Sequence, residues 1–461
     1  MRHGINVMHV EKNVCDSLLG TLLDIKGKTK DGRKARDDLK ELRIREALHP
    51  QIGERRTFLP PACYTLKRDE KKKLCGCLRG IKVPHAYSSN IRKLVSMKDL
   101  KLVGLKSHDS HVLMQQLLPI AIRGIMPDDV RDTITRLCLF FNAICSKVFD
   151  FDELDALQSE AVLILCKLEI FFPPSFFDIM VHLIIHIVRE IKYCGPVYLR
   201  WMYPVERYMK ILKGYVKNLR RPEASIVQRY IAEEAIEWGS HYLPGVTTVG
   251  IPSAHYEGTR GIGSDAEEKP RDLVMKAHLC ILNNTVEVAP YIQAHLDYLN
   301  LLYPGAKKKW LADKHKDTFI DWFKNEISQR YDTASNTLRL LAGGPDLTVI
   351  TYRSYDINHY RFSTKEKDDK STTQNSGVVI IAEATHFSSS RDVNPLVASH
   401  SYFGVIDEIW EVRYIDLYVP IFKCKWVNIS TGVRKDDGFT LVNLNRLGSH
   451  DDPFIMASQA K

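Results

Sequence analysis

The stretch Y-L-R-W-M-Y-P-V-E-R-Y-M-K-I-L-K-G-Y-V-K-N, Tyr198 to Asn218, sets its apolar and charged residues at intervals of three and four, the repeat of an α-helix. Arg207, Lys210, Lys213 and Lys217 fall on or near one face, while Tyr208, Ile211, Leu212, Tyr215 and, one residue further, Leu219 line the other. Glu206 is the only acid in the stretch and stands near its middle, ahead of most of the cations. Two readings follow. An acid beside cations suits a metal-dependent enzyme that acts on nucleic acid. Equally, Glu206 pairs with Lys210 at i,i+4 on an ordinary surface helix.

The helical period extends outward in both directions. Val130, Ile134, Leu137, Phe141 and Ile144 repeat behind the helix start Pro127-Asp128-Asp129. Asp152 to Phe172 reads as another helix, stopped by Pro173-Pro174, and Ser175 to Ile191 as a third, so apolar that burial on nearly every side is expected. After Pro222, Ala224 to Trp238 continues the pattern, giving a helical domain over residues 88–242. Upstream, residues 1–25 read as one helix carrying Val10, Val14, Leu18, Leu22 and Ile25. The basic, glycine-broken run that follows reads as an exposed linker within a 1–50 segment. Its Lys26, Lys28, Lys30, Arg33, Lys34 and Arg36 are solvated, touch phosphate or form a nuclear-import signal.

Downstream the pattern changes twice. Residues 243–271 lose periodicity and read as a flexible linker, and Asp272 to Leu301 with Thr318 to Leu341 make a helical connector over 272–345. Thr348 to Tyr352, Ser376 to Glu383, Ser401 to Tyr414, Leu417 to Val427 and Phe439 to Asn443 then alternate with period two between turn residues. Residues 346–461 are therefore expected to form a small antiparallel sheet or barrel, with Trp410 and Trp426 as core anchors or, alternatively, an aromatic cage or peptide groove. The fold class is multidomain α+β, mainly helical over 1–345.

A chain of 461 residues with 44% apolar and 26% charged residues is long enough for two or three cored domains. Its net charge of +9 favours an anionic partner such as DNA without requiring one. The ten cysteines are scattered, and Cys138, Cys145, Cys166 and Cys424 sit in apolar patterns, as reduced core thiols do. The longest apolar run, Ile179 to Val188, is interrupted by His182 and His186 and is too short to span a bilayer, so no membrane partner is expected.

Three words carry a resemblance: F-F-P-P-S-F-F-D-I-M-V-H-L (Phe171 to Leu183), C-G-P-V-Y-L-R-W-M-Y-P-V-E-R-Y (Cys194 to Tyr208) and M-H-V-E-K-N-V-C (Met8 to Cys15). Together they resemble the transposase of plant CACTA (En/Spm) DNA transposons, from about Ile5 onward: the end of its transposase region and two associated domains of unknown function. The resemblance implies an RNase H-like core in which three carboxylates hold two divalent metals. It makes Glu206 the candidate third acid through its Y-P-x-E-R context, although Val205 stands where the family has phenylalanine; Glu11 competes for the role. The family's D-x-x-H word has Asn6 at the aspartate position here, followed by His9.

The strands that bear the first two aspartates would precede Met1, so an incomplete site is expected, with magnesium or manganese bound only if another polypeptide completes it. The expected activity is accordingly binding rather than catalysis. The partners are DNA, such as transposon ends, and transposon-encoded or host proteins, in the nucleus. Arg207, Lys210, Lys213, Lys217, Arg220 and Arg221 are the candidate phosphate contacts. A subunit of a transposase completed in trans and a protein-assembly module remain as rival readings.

Other constellations are weaker, and no residue is nominated as a metal ligand. His182 and His186 have i,i+4 spacing but lack the glutamate of H-E-x-x-H, so they read as core or interhelical histidines. Cys75-Gly76-Cys77 with Cys63 and His85 is not the usual C-x-x-C knuckle. Asp368-Asp369 and Asp436-Asp437 read as turns.

Overall fold

The computed structural model describes residues 4–54, 57–85, 87, 90–242, 260–386, 396–436, 438–448 and 452–461. The chain divides into two units, Met1–Lys82 with Ala86–Ile251, and Val83–His85 with Pro252–Lys461.

In the first unit, α1 (Val7–Leu22) begins at Asn6, whose side-chain oxygen accepts from the His9 backbone N–H at 3.2 Å and so caps the helix. Val7, Val10, Val14, Leu18 and Leu22 form its buried stripe. The helix ends before Ile25 because the chain turns back over it, and a Cβ at Gly20 would lie 2.6 Å from the Lys28 carbonyl oxygen. Only glycine permits that close approach.

The run read as an exposed linker is in fact folded. It contains α2 (Arg33–Glu41), with Arg36 buried beneath it. The Arg36 guanidinium donates to both carboxylate oxygens of Asp31, through Nη2 at 2.6 Å, and to the Leu48 carbonyl at 3.1 Å. Tyr64 also donates to Asp31, at 2.7 Å, and its ring stacks on Phe172 at 4.6 Å. The sequence pattern registered only the excess of cations; pairing with Asp31 is what lets Arg36 leave water.

Helices α3 (Arg68–Gly80) and α4 (Ser107–Val112) follow, and α4 runs through a π-helical turn at Leu113–Leu117 into Leu118–Ala121. The remaining long helices of this unit are α5 (Asp128–Ile144), α6 (Phe151–Phe171), α7 (Ile179–Cys194), α8 (Tyr203–Tyr215) and α9 (Pro222–Tyr242). Val130, Ile134, Leu137, Phe141 and Ile144 of α5 are buried, as their spacing predicts. Helix α7 corrects an expectation: Val181, Ile184, Val188 and Ile191 are buried, but His182 and His186 are exposed, with their Nε2 atoms 3.2 Å apart. They are surface residues, because α7 packs along one face only. Asp178 caps α7 through the N–H groups of Met180 and Val181, and also pairs with Lys30 at 2.8 Å.

The second unit is a seven-stranded antiparallel sheet with helices on one face. Its longer helices are α10 (Arg271–Asn283), α11 (Ala289–Leu302), α12 (Lys308–Gln329) and α13 (Asn336–Gly343). Its strands are β1 (Arg260–Glu268), β2 (Thr348–Ile357), β3 (Tyr360–Ser363), β4 (Gly377–His386), β5 (Leu396–Tyr414), β6 (Leu417–Trp426) and β7 (Phe454–Met456). The order is β7-β6-β5-β2-β1, with β3 on β2 and β4 on β5.

Two expected long helices are broken. Asn284 and the Val286–Val288 turn separate α10 from α11, and Ser335 starts α13 by accepting from the Leu338 N–H. Of the expected linker, residues 243–259 lie outside the described residues, while 260–268 form β1, paired with β2 from Arg260↔Asp356 to Glu268↔Thr348. Gly261 there serves contact, since a Cβ would fall 2.0 Å from the Tyr352 ring. The expected strand from Phe439 is present as Phe439–Val442, and it pairs with Val433–Asp436 in a separate two-stranded sheet.

Trp410 is fully buried between sheet and helices with Val412, Tyr414, Ile421, Phe319 and Phe323. Ile406, Ile409, Phe422 and Phe362 form a second core with Tyr355 and Ile357. Ile406 and Ile409 share a side because β5 carries an irregularity: Lys423 pairs with Glu408 but Cys424 with Ile406, leaving Asp407 as an extra residue. One inserted residue exchanges the faces of everything beyond it. Among the described residues no helix is long and apolar enough to cross a membrane.

Candidate functional site

Helix α8 starts with Pro204 in its first turn, where a missing N–H costs nothing, and Glu206 lies in that turn, where the helix dipole favours an acid. Glu206 is exposed and has no ion pair with Lys210, so the i,i+4 pairing is not formed among the described residues. The helix stops at Tyr215, which leaves Lys217 on the connector rather than on the helix face. Asn218 makes the turn: its side chain accepts from the Arg220 N–H at 3.0 Å, and its own N–H donates to Ser225 Oγ at 3.1 Å.

Arg207, Lys210, Lys213, Lys217, Arg220 and Arg221 are all exposed. Helices α8 and α9 border a cleft of about 920 Å³ lined by Arg207, Lys210, Lys217 and Arg229. Lys213, Arg220 and Arg221 do not line it. Arg229 escapes a reading of the sequence because it lies on the next helix, which offers no charge pattern. It is held by Glu233 at 2.9 Å, and Glu233 also accepts from the Tyr215 hydroxyl. The face expected to be apolar and packed is not: Tyr208 and Ile211 are about half exposed, Leu219 is 88% exposed, and α8 buries no residue.

Asn6 and His9 are exposed at the start of α1, Asn6 acting as the helix cap, and no hydrogen bond joins either to Glu206 among the described residues. Glu11, one turn on, is different. It sits on the buried stripe of α1, 1% exposed, and its carboxylate is 2.7 Å from His111 Nδ1 and 2.9 Å from Gln115 Nε2. His111 belongs to α4, Gln115 to the π-helical turn, and Cys145 to the end of α5. Ligand atoms of Glu11, His111 and Cys145 all lie within 4.8 Å of one another.

Aromatic rings enclose the cluster, with Trp201 5.1 Å and Tyr203 6.1 Å from the His111 ring, both edge-on. Burial, and then the charge of Glu11, push the Cys145 thiol above its usual range. Burial first, then Glu11 and Cys145, raise the Tyr203 hydroxyl likewise. That hydroxyl is buried and has no hydrogen-bond partner among the described residues. The cysteine and histidine group at Cys63, Cys75, Cys77 and His85 forms no comparable cluster among the described residues. Asp368 is a structural anchor, accepting from the N–H groups of Asn375 and Ser376 at 2.6 Å. Asp437 lies outside the described residues.

Trp410 donates through Nε1 to Glu408, which also pairs with Lys269 at 2.8 Å and Lys423 at 2.5 Å. Despite burial, these donors hold the Glu408 carboxyl down at about 2. Trp426 is half-buried over Gly404 and donates to the Asp452 carbonyl at 3.1 Å.

No curated protein and no solved structure matches this chain. Residues 144–252 match a domain of unknown function (DUF4218) and residues 410–461 match a second (DUF4216). The chain thus carries two domains that are typical of plant transposase-like proteins.

Proposed function

We propose that this protein is derived from a CACTA-type transposase and acts in the nucleus as a nucleic-acid-binding protein. In this reading Arg207, Lys210, Lys217 and Arg229 contact phosphates from the cleft, with Lys213, Arg220 and Arg221 flanking it. The observation that carries the reading is the convergence of cations from two helices and their connector on one exposed cleft. Phosphate contacts of this kind give affinity that depends little on sequence and falls steeply with salt.

Charge reversal at Lys210, Lys213 and Lys217 together is expected to lower duplex-DNA affinity at least tenfold at low salt, measured by fluorescence anisotropy. It should also flatten the plot of log affinity against log salt, by about 0.9 for each phosphate that is no longer neutralised. Unchanged affinity and slope would reject the interface.

A second reading is favoured by Glu206, which has no ion pair among the described residues, and by the exposed Met209, Ile211, Val227 and Ile231 of α8 and α9. In it the chain is one part of a transposase completed by another polypeptide, with Glu206 as third acid. Magnesium-dependent cleavage of transposon-end DNA by the mixture, abolished by Glu206→Gln, would support it; cleavage untouched by that substitution would not.

A further inference from the structure

We propose that Glu11, His111 and Cys145 bind one transition-metal ion of the zinc type, which fastens α1 to the domain beginning near residue 144. The proposal is independent of the DNA reading, because the cluster is separate from the basic cleft.

Three donors of different chemistry converge from three separate elements. Their ligand atoms, within 4.8 Å of one another, need only small side-chain rotations to surround an ion with N and O ligands at about 2.0 Å and S at about 2.3 Å. A carboxylate, an imidazole and a thiolate together suit zinc or cobalt. Magnesium and calcium, which take oxygen ligands, do not match the set. The charges also balance: a dication with one carboxylate and one thiolate leaves no net charge in a dry site. On binding, the Cys145 proton passes to solvent and the sulfur bonds to the ion.

The hydrogen bonds give a second argument. His111 Nδ1 lies 2.7 Å from Glu11 Oε2 and 2.9 Å from Gln115 Nε2, while Gln115 Nε2 is also 2.9 Å from Glu11 Oε1. A ring nitrogen has one in-plane position, occupied by either a proton or a lone pair, so it cannot satisfy both neighbours. If Nδ1 carries the proton, it donates to Glu11 and opposes the Gln115 amide. If it does not, the amide is satisfied and its lone pair opposes the carboxylate. An ion shared by Nδ1 and Glu11 Oε2 removes the competition, and Gln115 then serves as the outer partner that orients the carboxylate through Oε1.

Tyr203 supplies the third argument. Its buried hydroxyl, beside this cluster, has no partner among the described residues, and buried hydroxyls are normally bonded. A water on the ion's fourth position would give it one. The π-helical turn that carries Gln115 is a rare irregularity of the sort found at functional sites.

The test uses the whole 461-residue chain carrying His182→Ala and His186→Ala, because that exposed pair could chelate metal by itself. After stripping with chelator and dialysis, cobalt(II) is added as the probe. One equivalent is expected to bind, with visible bands of a tetrahedral site and a thiolate-to-cobalt charge-transfer band. Cys145→Ser should abolish the charge-transfer band, and Glu11→Gln should weaken binding at least tenfold, while Cys166→Ser, at an exposed thiol, changes neither. Circular dichroism of each stripped variant establishes that it is folded. Should a variant fail to fold, zinc dependence of the parent's melting temperature decides, a stoichiometric rise being expected. Absence of stoichiometric binding, an unshifted melt, or a cobalt spectrum that survives Cys145→Ser would overturn the proposal.

Discussion

Two glutamates in the first unit meet opposite surroundings. Glu206 stands in water at the head of α8, among cations that reach outward and helices whose apolar residues remain uncovered. Glu11 is sealed on the inner stripe of α1, where a histidine, an amide and a thiol converge on it. The first can be replaced with little consequence for folding and matters only through what it meets; the second is fixed by its neighbours and matters to the fold itself. Exposure therefore separates residues that wait for a partner from residues that already have one.

The largest effect expected from this contrast is at Glu11. Glu11→Ala strands His111 and Gln115 in a dry site and should cost roughly 3–5 kcal/mol, read from the shift in denaturant midpoint. A loss below about 1 kcal/mol would dissolve the contrast.

Buried histidines of the second unit extend the comparison to pH. His278, bonded to the Tyr414 hydroxyl at 2.8 Å, and His315, facing His295 at 2.8 Å, are each pushed down by burial to about 4. The unfolded chain takes up these protons near pH 6.5 and the folded chain does not, so it is the unfolded state that binds more protons in between. Stability is fully present above about pH 6.5 and falls as pH drops towards about 4, by at most about 3 kcal/mol for His278. A His278→Gln variant should flatten this limb of a melting-temperature profile. A limb that keeps its slope would place the titration elsewhere.

A smaller loss is expected at Glu408, where Lys269, Lys423 and the Trp410 indole share one carboxylate. Glu408→Gln keeps the shape but leaves the Lys423 ammonium without its counter-charge, while Lys269 keeps Glu267, and should cost about 2 kcal/mol at pH 7. Because this carboxyl is held low, its contribution is present above about pH 4.3 and vanishes as pH falls through about 2. An acid melt of the variant that parallels the parent's would contradict this. The smallest effect closes the comparison: Glu206→Gln should change stability by less than about 0.5 kcal/mol, and a larger shift in midpoint would show that its surroundings are not open.

Much of the fold was legible in the sequence, for reasons that also mark where legibility ended. Helices such as α5 write their buried face at a spacing of three and four, and the switch to period two announces β2 and β5. The cations of α8 were readable as exposed because charge seldom enters a core. Arg36 broke that rule through a partner five residues away, whose pairing no periodicity records. His111 and Cys145 were invisible as a site because each lies in an ordinary local pattern, and only folding brings them to Glu11. The one signal available was Glu11 itself, a carboxylate on an otherwise apolar stripe. The extra residue at Asp407 was equally hidden, since alternation reads correctly on each side of it and fails only across it.

Strand β5 gives that extra residue a wider consequence. Its far end feeds the interior shared with the helices through Trp410, Val412 and Tyr414, and its near part feeds the other through Ile406 and Ile409. Neither interior can melt without releasing a portion of the same ribbon, so the two should lose order in a single cooperative step. A strain introduced near Ile406 would then be felt at Tyr414, transmitted along covalent chain rather than across a packed surface.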